Sequence, residues 1–118
     1  MLEDHTFFFL GIALILMHEM DAIRCKEWRI FPGLSFLDDK LGFIIFMFAH
    51  IPLFFLVIRE IARPENDAFI QGFSYFLIIH LGLHLLFLMH KKNEFKDWIS
   101  WSIIGGAGIC GLFEILST

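Results

Sequence analysis

Apolar residues along this chain gather into four runs, and the stretches between them hold most of the charge. The runs cover about 6–23, 41–58, 68–89 and 98–116. Each approaches the roughly 20 apolar residues that carry an α-helix across about 30 Å of hydrocarbon. Pro64, Glu65, Asn66 and Asp67 form a turn and N-cap cluster, and Asp38 and Asp39 offer caps for the second helix. The pattern predicts an all-α fold, with a single transmembrane domain over 1–118 built as an integral membrane four-helix up-down bundle. Between the first two helices, 24–40 mixes Trp28, Ile30, Phe31, Leu34, Phe36 and Leu37 with Lys26, Arg29 and Lys40. Such a segment is expected to lie along the membrane interface, with Glu27 turned inward.

Composition agrees with the pattern. Of 118 residues 58% are hydrophobic, above the share of about 45–50% usual for a soluble domain. The net charge of −4 says little about partners, because the charges sit in short patches. Their placement says more: Arg24, Lys26, Arg29, Lys40, Lys91, Lys92 and Lys96 fall on one face, and only Arg59 and Arg63 on the other. The positive-inside rule then puts the first and third loops in the cytoplasm and both termini outside. Trp28, Trp98 and Trp101 lie near the cytoplasmic face, where aromatic anchors are expected. The first run opens on the acidic Leu2-Glu3-Asp4 without a small-residue cleavage site, and is read as a retained span. Cys25 and Cys110 have no CxxC spacing, which suggests neither a disulfide framework nor a zinc ribbon. No nucleotide loop, nucleophile elbow or nucleic-acid patch is present.

Ionisable residues inside membrane spans are costly and point to a site. Here they are His18, Glu19 and Asp21 in the first helix, His50 in the second, His80 and His84 in the third, and Glu114 in the fourth. At about 1.5 Å per residue, His18, His50 and His80 come to roughly 18, 16 and 18 Å from the outer face. His80 and His84, four apart, share a helix face, as do His18 and Asp21, three apart. Imidazole and carboxylate converging inside a bundle are the ligands of zinc or non-haem iron. The metal candidates are therefore His18, His50, His80 and His84. Glu19 or Asp21 would complete the ligand set or act as general base. Occupancy should fall toward about pH 6 as imidazoles protonate.

Three functions compete for this cluster. It serves metal-dependent chemistry on a lipid or other apolar substrate, with haem between two histidines as a second version. It relays protons or a divalent ion. Or it fixes helix register in a scaffold or accessory subunit. Asp21 has a simpler partner in Arg24, three residues on, and Glu114 should end near the outer face beside His5 or Glu3. Gly105, Gly106, Ala107, Gly108 and Gly111 give the fourth helix a small-residue packing surface. Pro52 is expected to bend the second helix.

The stretch HEMDAIRCKEWRIFPGLSFLDD, His18 to Asp39, resembles an uncharacterised family of small bacterial membrane proteins with a His-Glu-x-Asp-Ala opening followed by Glu-Trp-Arg. HLGLH at His80–His84 and NEF at Asn93–Phe95 resemble the same family's third-helix region. The resemblance implies four helices in a bacterial inner membrane and singles out His18, Glu19, Asp21, Glu27, Trp28, His80 and His84, with no activity attached. The chain is more distantly similar to membrane proteins with an HxxEE motif. The matching positions here are His18, Asp21 and Ala22, one acid short of that motif.

Overall fold

The computed structural model describes residues 5–117. Four α-helices follow one another: α1 (Thr6–Arg24), α2 (Asp39–Ala62), α3 (Asp67–Phe87) and α4 (Trp98–Ser117). All four are long and apolar enough to cross a membrane. No strand occurs among the described residues. Large apolar side chains such as Met20, Phe48, Ile51, Ile58 and Leu86 stand exposed on the helices, a surface suited to lipid tails rather than water.

The helix ends are set by local chemistry. Asp38 caps α2 by accepting from the Leu41 backbone N–H at 2.8 Å, and Asp97 accepts from the Ser100 N–H at 2.9 Å to cap α4. α2 continues through Pro52 and runs to Ala62, four residues past its expected end. After α1 the chain reverses at Lys26, whose φ of +52° lies in the left-handed region, at a cost of about 1–2 kcal/mol for a residue with a Cβ. The reversal leads into a 3₁₀ turn, Glu27–Arg29, folded back beneath the helices. Trp28 is therefore a core residue, 4% exposed, with its indole N–H donating to Asp39 at 3.1 Å. It is not the interfacial anchor its position suggested. Trp98, 78% exposed, keeps a surface place.

Packing is uneven. α4 lies tightly against both α1 and α3, and its glycines are the reason. A Cβ on Gly108 would come within 2.6 Å of Leu81, and one on Gly111 within 2.5 Å of the Ser74 carbonyl oxygen. On α1, a Cβ on Gly11 would meet Leu77 at 2.6 Å. Helices in lipid gain little from a hydrophobic drive and depend on such close approach. α2 behaves otherwise. It buries only Gly42 and Phe46, docking its N-terminal end on Trp28, where a Cβ on Gly42 would touch the indole at 2.6 Å. Farther out, apolar space separates α2 from α1 and α3.

Candidate metal centre

His80 and His84 occupy successive turns of one face of α3, and their ring centroids are 4.6 Å apart. α1 brings His18 against both, at 4.5 Å from His80 and 4.9 Å from His84. The turn after Lys26 delivers Glu27 from below. Its carboxylate oxygens lie 3.7 Å from His18 Nε2 and 3.6 Å from His84 Nε2, too far for hydrogen bonds. His18, Glu27, His80 and His84 each offer one ligand atom, and these atoms all lie within 4.8 Å of one another. A buried group of this kind could hold a metal ion.

Exposure is 0% for His18, 1% for His84, 8% for Glu27 and 9% for His80. The group is thus enclosed. Phe95, fully buried, covers it from the loop between α3 and α4, with its ring 5.5 Å from His18 and 4.7 Å from His84. Asn93 braces that lid, accepting from the Phe95 N–H at 3.2 Å, while Trp101 Nε1 donates to the Phe95 carbonyl at 2.8 Å. Glu94 between them binds Arg29, which also grips Asp39. The Glu-Trp-Arg and Asn-Glu-Phe motifs therefore meet in space: one supplies Glu27 and the other the lid. Phe95 was not legible as a lid from any periodicity, and only the resemblance marked its motif.

Both ring nitrogens of His18 and of His84, and Nδ1 of His80, are buried without a hydrogen-bond partner. Leaving such groups unpaired costs roughly 1–3 kcal/mol each. Burial opposes the charge on Glu27, but the neighbouring His18 and His84 outweigh it and hold the carboxyl down at about 2. The cluster thus places a carboxylate among imidazole nitrogens that hold no hydrogen bond.

The other candidates lie elsewhere. His50 is not in this group: its Nε2 meets Glu19 Oε2 at 2.5 Å and its Nδ1 the Phe46 carbonyl at 2.6 Å. A carbonyl only accepts, so Nδ1 carries a proton. Depth alone brought His50 level with His18. Adjacent residues on a helix point about 100° apart, and Glu19 consequently faces α2 where His18 faces α3. Asp21 faces α4. It receives Arg24 Nε at 2.6 Å and the Ser100 hydroxyl at 2.5 Å. The Cys25 thiol points to the same carboxylate at 3.9 Å, and burial pushes that thiol's pKa up, keeping it a neutral donor. Glu114, 1% exposed, bonds His5 Nδ1 at 2.8 Å and accepts from the Phe8 N–H at 3.0 Å, which satisfies the start of α1. Glu3, its other expected neighbour, lies outside the described residues.

Searches of curated proteins and of solved structures gave no match. The model of a family of unknown function, DUF6713, matches residues 4–118. Matched over nearly its whole length, the chain belongs to that family.

Proposed function

We propose that this is a membrane metalloprotein in which His18, His80, His84 and Glu27 hold one transition-metal ion, zinc or non-haem iron, for chemistry on an apolar substrate. The observation that carries the reading is the set of five enclosed imidazole nitrogens without partners beside a buried carboxylate. A register-fixing cluster in a scaffold would be expected to satisfy its own polar groups. A proton relay needs hydrogen-bonded neighbours, which these nitrogens lack. Tetrahedral ligands with bonds of about 2.1 Å stand about 3.4 Å apart; the two Glu27 separations of 3.6 and 3.7 Å are close to that, and the four ligand atoms, all within 4.8 Å of one another, would draw together on binding. Rings in edge contact at 4.5–4.9 Å leave no slot for a flat macrocycle, which favours a bare ion over haem.

When bound, such an ion supplies Lewis acidity and activates water. The protein's own contribution is to fix three imidazoles on two helices, close the site with Phe95 and add one carboxylate through Glu27. Glu27 takes the carboxylate place that Glu19 or Asp21 was expected to fill. Asp21 is committed to Arg24 and Ser100, and Glu19 is left as the candidate base. With both termini outside, as the lysine and arginine asymmetry argues, the site sits near the cytoplasmic side of a bacterial inner membrane.

Metal analysis of protein purified in detergent without chelators tests the reading. Near-stoichiometric zinc or iron is expected in the wild type and in His90→Ala, and loss of it in His80→Ala. Helical protein that carries no metal and takes up neither added zinc nor ferrous iron would overturn it.

A further inference from the structure

Two apolar cavities of about 460 and 290 Å³ lie between α2 and the rest of the bundle. The first is lined by residues including Met20, Phe46, Met47 and His50, the second by residues including Leu53, Val57, Phe69 and Phe76. Leu16, Glu19 and Phe54 line both, so the two form one trough. From Phe46 to Glu60 it follows α2 for about 21 Å at the helical rise, longer than one leaflet's share of about 15 Å of hydrocarbon.

A trough of this length, apolar but for Glu19, His50 and, at its far end, Glu60, suits a lipid chain, and the Glu19–His50 pair narrows the choice. Glu19 and His50, with side chains 21% and 17% exposed, bond each other through Oε2 and Nε2. Because His50 Nδ1 carries a proton toward the Phe46 carbonyl, the short bond to Glu19 holds one proton, on either Nε2 or Oε2. In both arrangements Glu19 Oε1 is an acceptor. It makes no hydrogen bond among the described residues, although it stands in an apolar wall where an unpaired oxygen is costly.

We propose that the trough binds a long-chain lipid alcohol, its chain filling the apolar length and its hydroxyl donating to Glu19 Oε1. An alkane would leave that oxygen unpaired, and a fatty-acid carboxylate or a phosphate would bring an acceptor against an acceptor. The site adjoins the metal centre: His18 precedes Glu19, and Phe76 of the trough wall packs on His80 with ring centroids 5.7 Å apart. The binding stands on the trough alone. Its role as the substrate site rests on the metal reading above.

Photolabelling of the full chain in lipid nanodiscs tests the proposal, using a long-chain primary alcohol with a diazirine near its hydroxyl. Labelling should concentrate at Met20, Met47 and Phe54. An unlabelled alcohol should compete about tenfold better than the alkane or fatty acid of equal length, the factor expected from one hydrogen bond of about 1.4 kcal/mol. Glu19→Leu should remove that preference, and Met47→Trp, which fills the trough and leaves Glu19 in place, should remove the labelling. If Glu19→Leu does not fold, the Met47→Trp result and the competition series decide. Labelling spread evenly over all four helices, equal competition by the alkane, or undiminished labelling of Met47→Trp would overturn the proposal. Metal content measured on the same samples separates the two claims: specific labelling of metal-free protein sinks the metal reading alone, and metal-loaded protein without specific labelling sinks this one alone.

Discussion

The two sides of α1 treat histidine in opposite ways. Toward α3 and α4 the helices are in close contact, and His18, His80 and His84 are packed ring to ring with five nitrogens unpaired. Toward α2 the packing is loose, yet His50 has a partner at each ring nitrogen, in Glu19 and the Phe46 carbonyl. A polar pair that satisfies itself can tolerate a wall of lipid and space. Unsatisfied imidazoles persist only where the surrounding packing imposes them.

The sharpest way to break this contrast is to delete one histidine from each side. His18→Ala should weaken zinc affinity more than about 100-fold, beyond the 10–100-fold typical for residues that only support a ligand, whereas His50→Ala should leave it within about twofold. Competition with a chromogenic chelator reads both. Equal losses would erase the distinction.

The packing itself can be attacked next. Gly111→Leu drives a side chain into the Ser74 carbonyl and Leu77 and should cost at least about 1–3 kcal/mol. Gly72→Ala and Gly82→Ala, where a Cβ meets nothing within 4 Å, should not lower stability. Unfolding in mixed micelles with increasing SDS measures the difference. A harmless Gly111→Leu would mean that α3 and α4 are not in close contact.

A smaller gain is expected at the turn that carries Glu27. Lys26→Gly relieves the left-handed strain at φ +52° and should stabilise the protein by about 1 kcal/mol, while Lys26→Val should destabilise it. The same unfolding assay decides, and zinc affinity should follow stability in sign because Glu27 depends on this reversal.

The smallest effect is electrostatic. Arg24, followed by the Ser100 N–H, holds Asp97 down at about 2 from an ordinary value of 3.8. A depressed carboxylate adds stability above its unfolded pKa and loses it as pH falls through the folded one. Asp97→Asn keeps the cap on α4 and removes the charge. Its stability deficit should be present at pH 5, shrink below about pH 4 and vanish only below pH 2; a deficit that does not change with pH would show that the charge is not its source. Being exposed, the pair should contribute little.

Much of this molecule was legible in its residues, and the limits have a geometric origin. Hydropathy and the clustering of charge locate the four helices because lipid demands long apolar runs whatever packs beside them. The spacing of His80 and His84 already places them on one face. Depth along a helix is also readable from rise per residue, but rotation about its axis is not, and rotation separates His18 from Glu19 and His50 from the cluster. The inward turn of Glu27 was expected from the mixed segment that carries it. Its position between His18 and His84 was not, because it depends on a left-handed Lys26 that no pattern announces. Trp28 shows the same limit: an indole near an interface reads as an anchor until the 3₁₀ turn folds it into the core.

On the reading proposed above, one ion sits among three imidazoles and one carboxylate on the tightly packed side. X-ray absorption at the edge of whichever metal co-purifies tests this most directly, comparing wild type, His50→Ala and Glu27→Gln. Scattering from three imidazoles at about 2.0–2.1 Å is expected, unchanged in His50→Ala, with the carboxylate oxygen lost or replaced in Glu27→Gln. A site that loses an imidazole in His50→Ala, or one indifferent to Glu27→Gln, would contradict it.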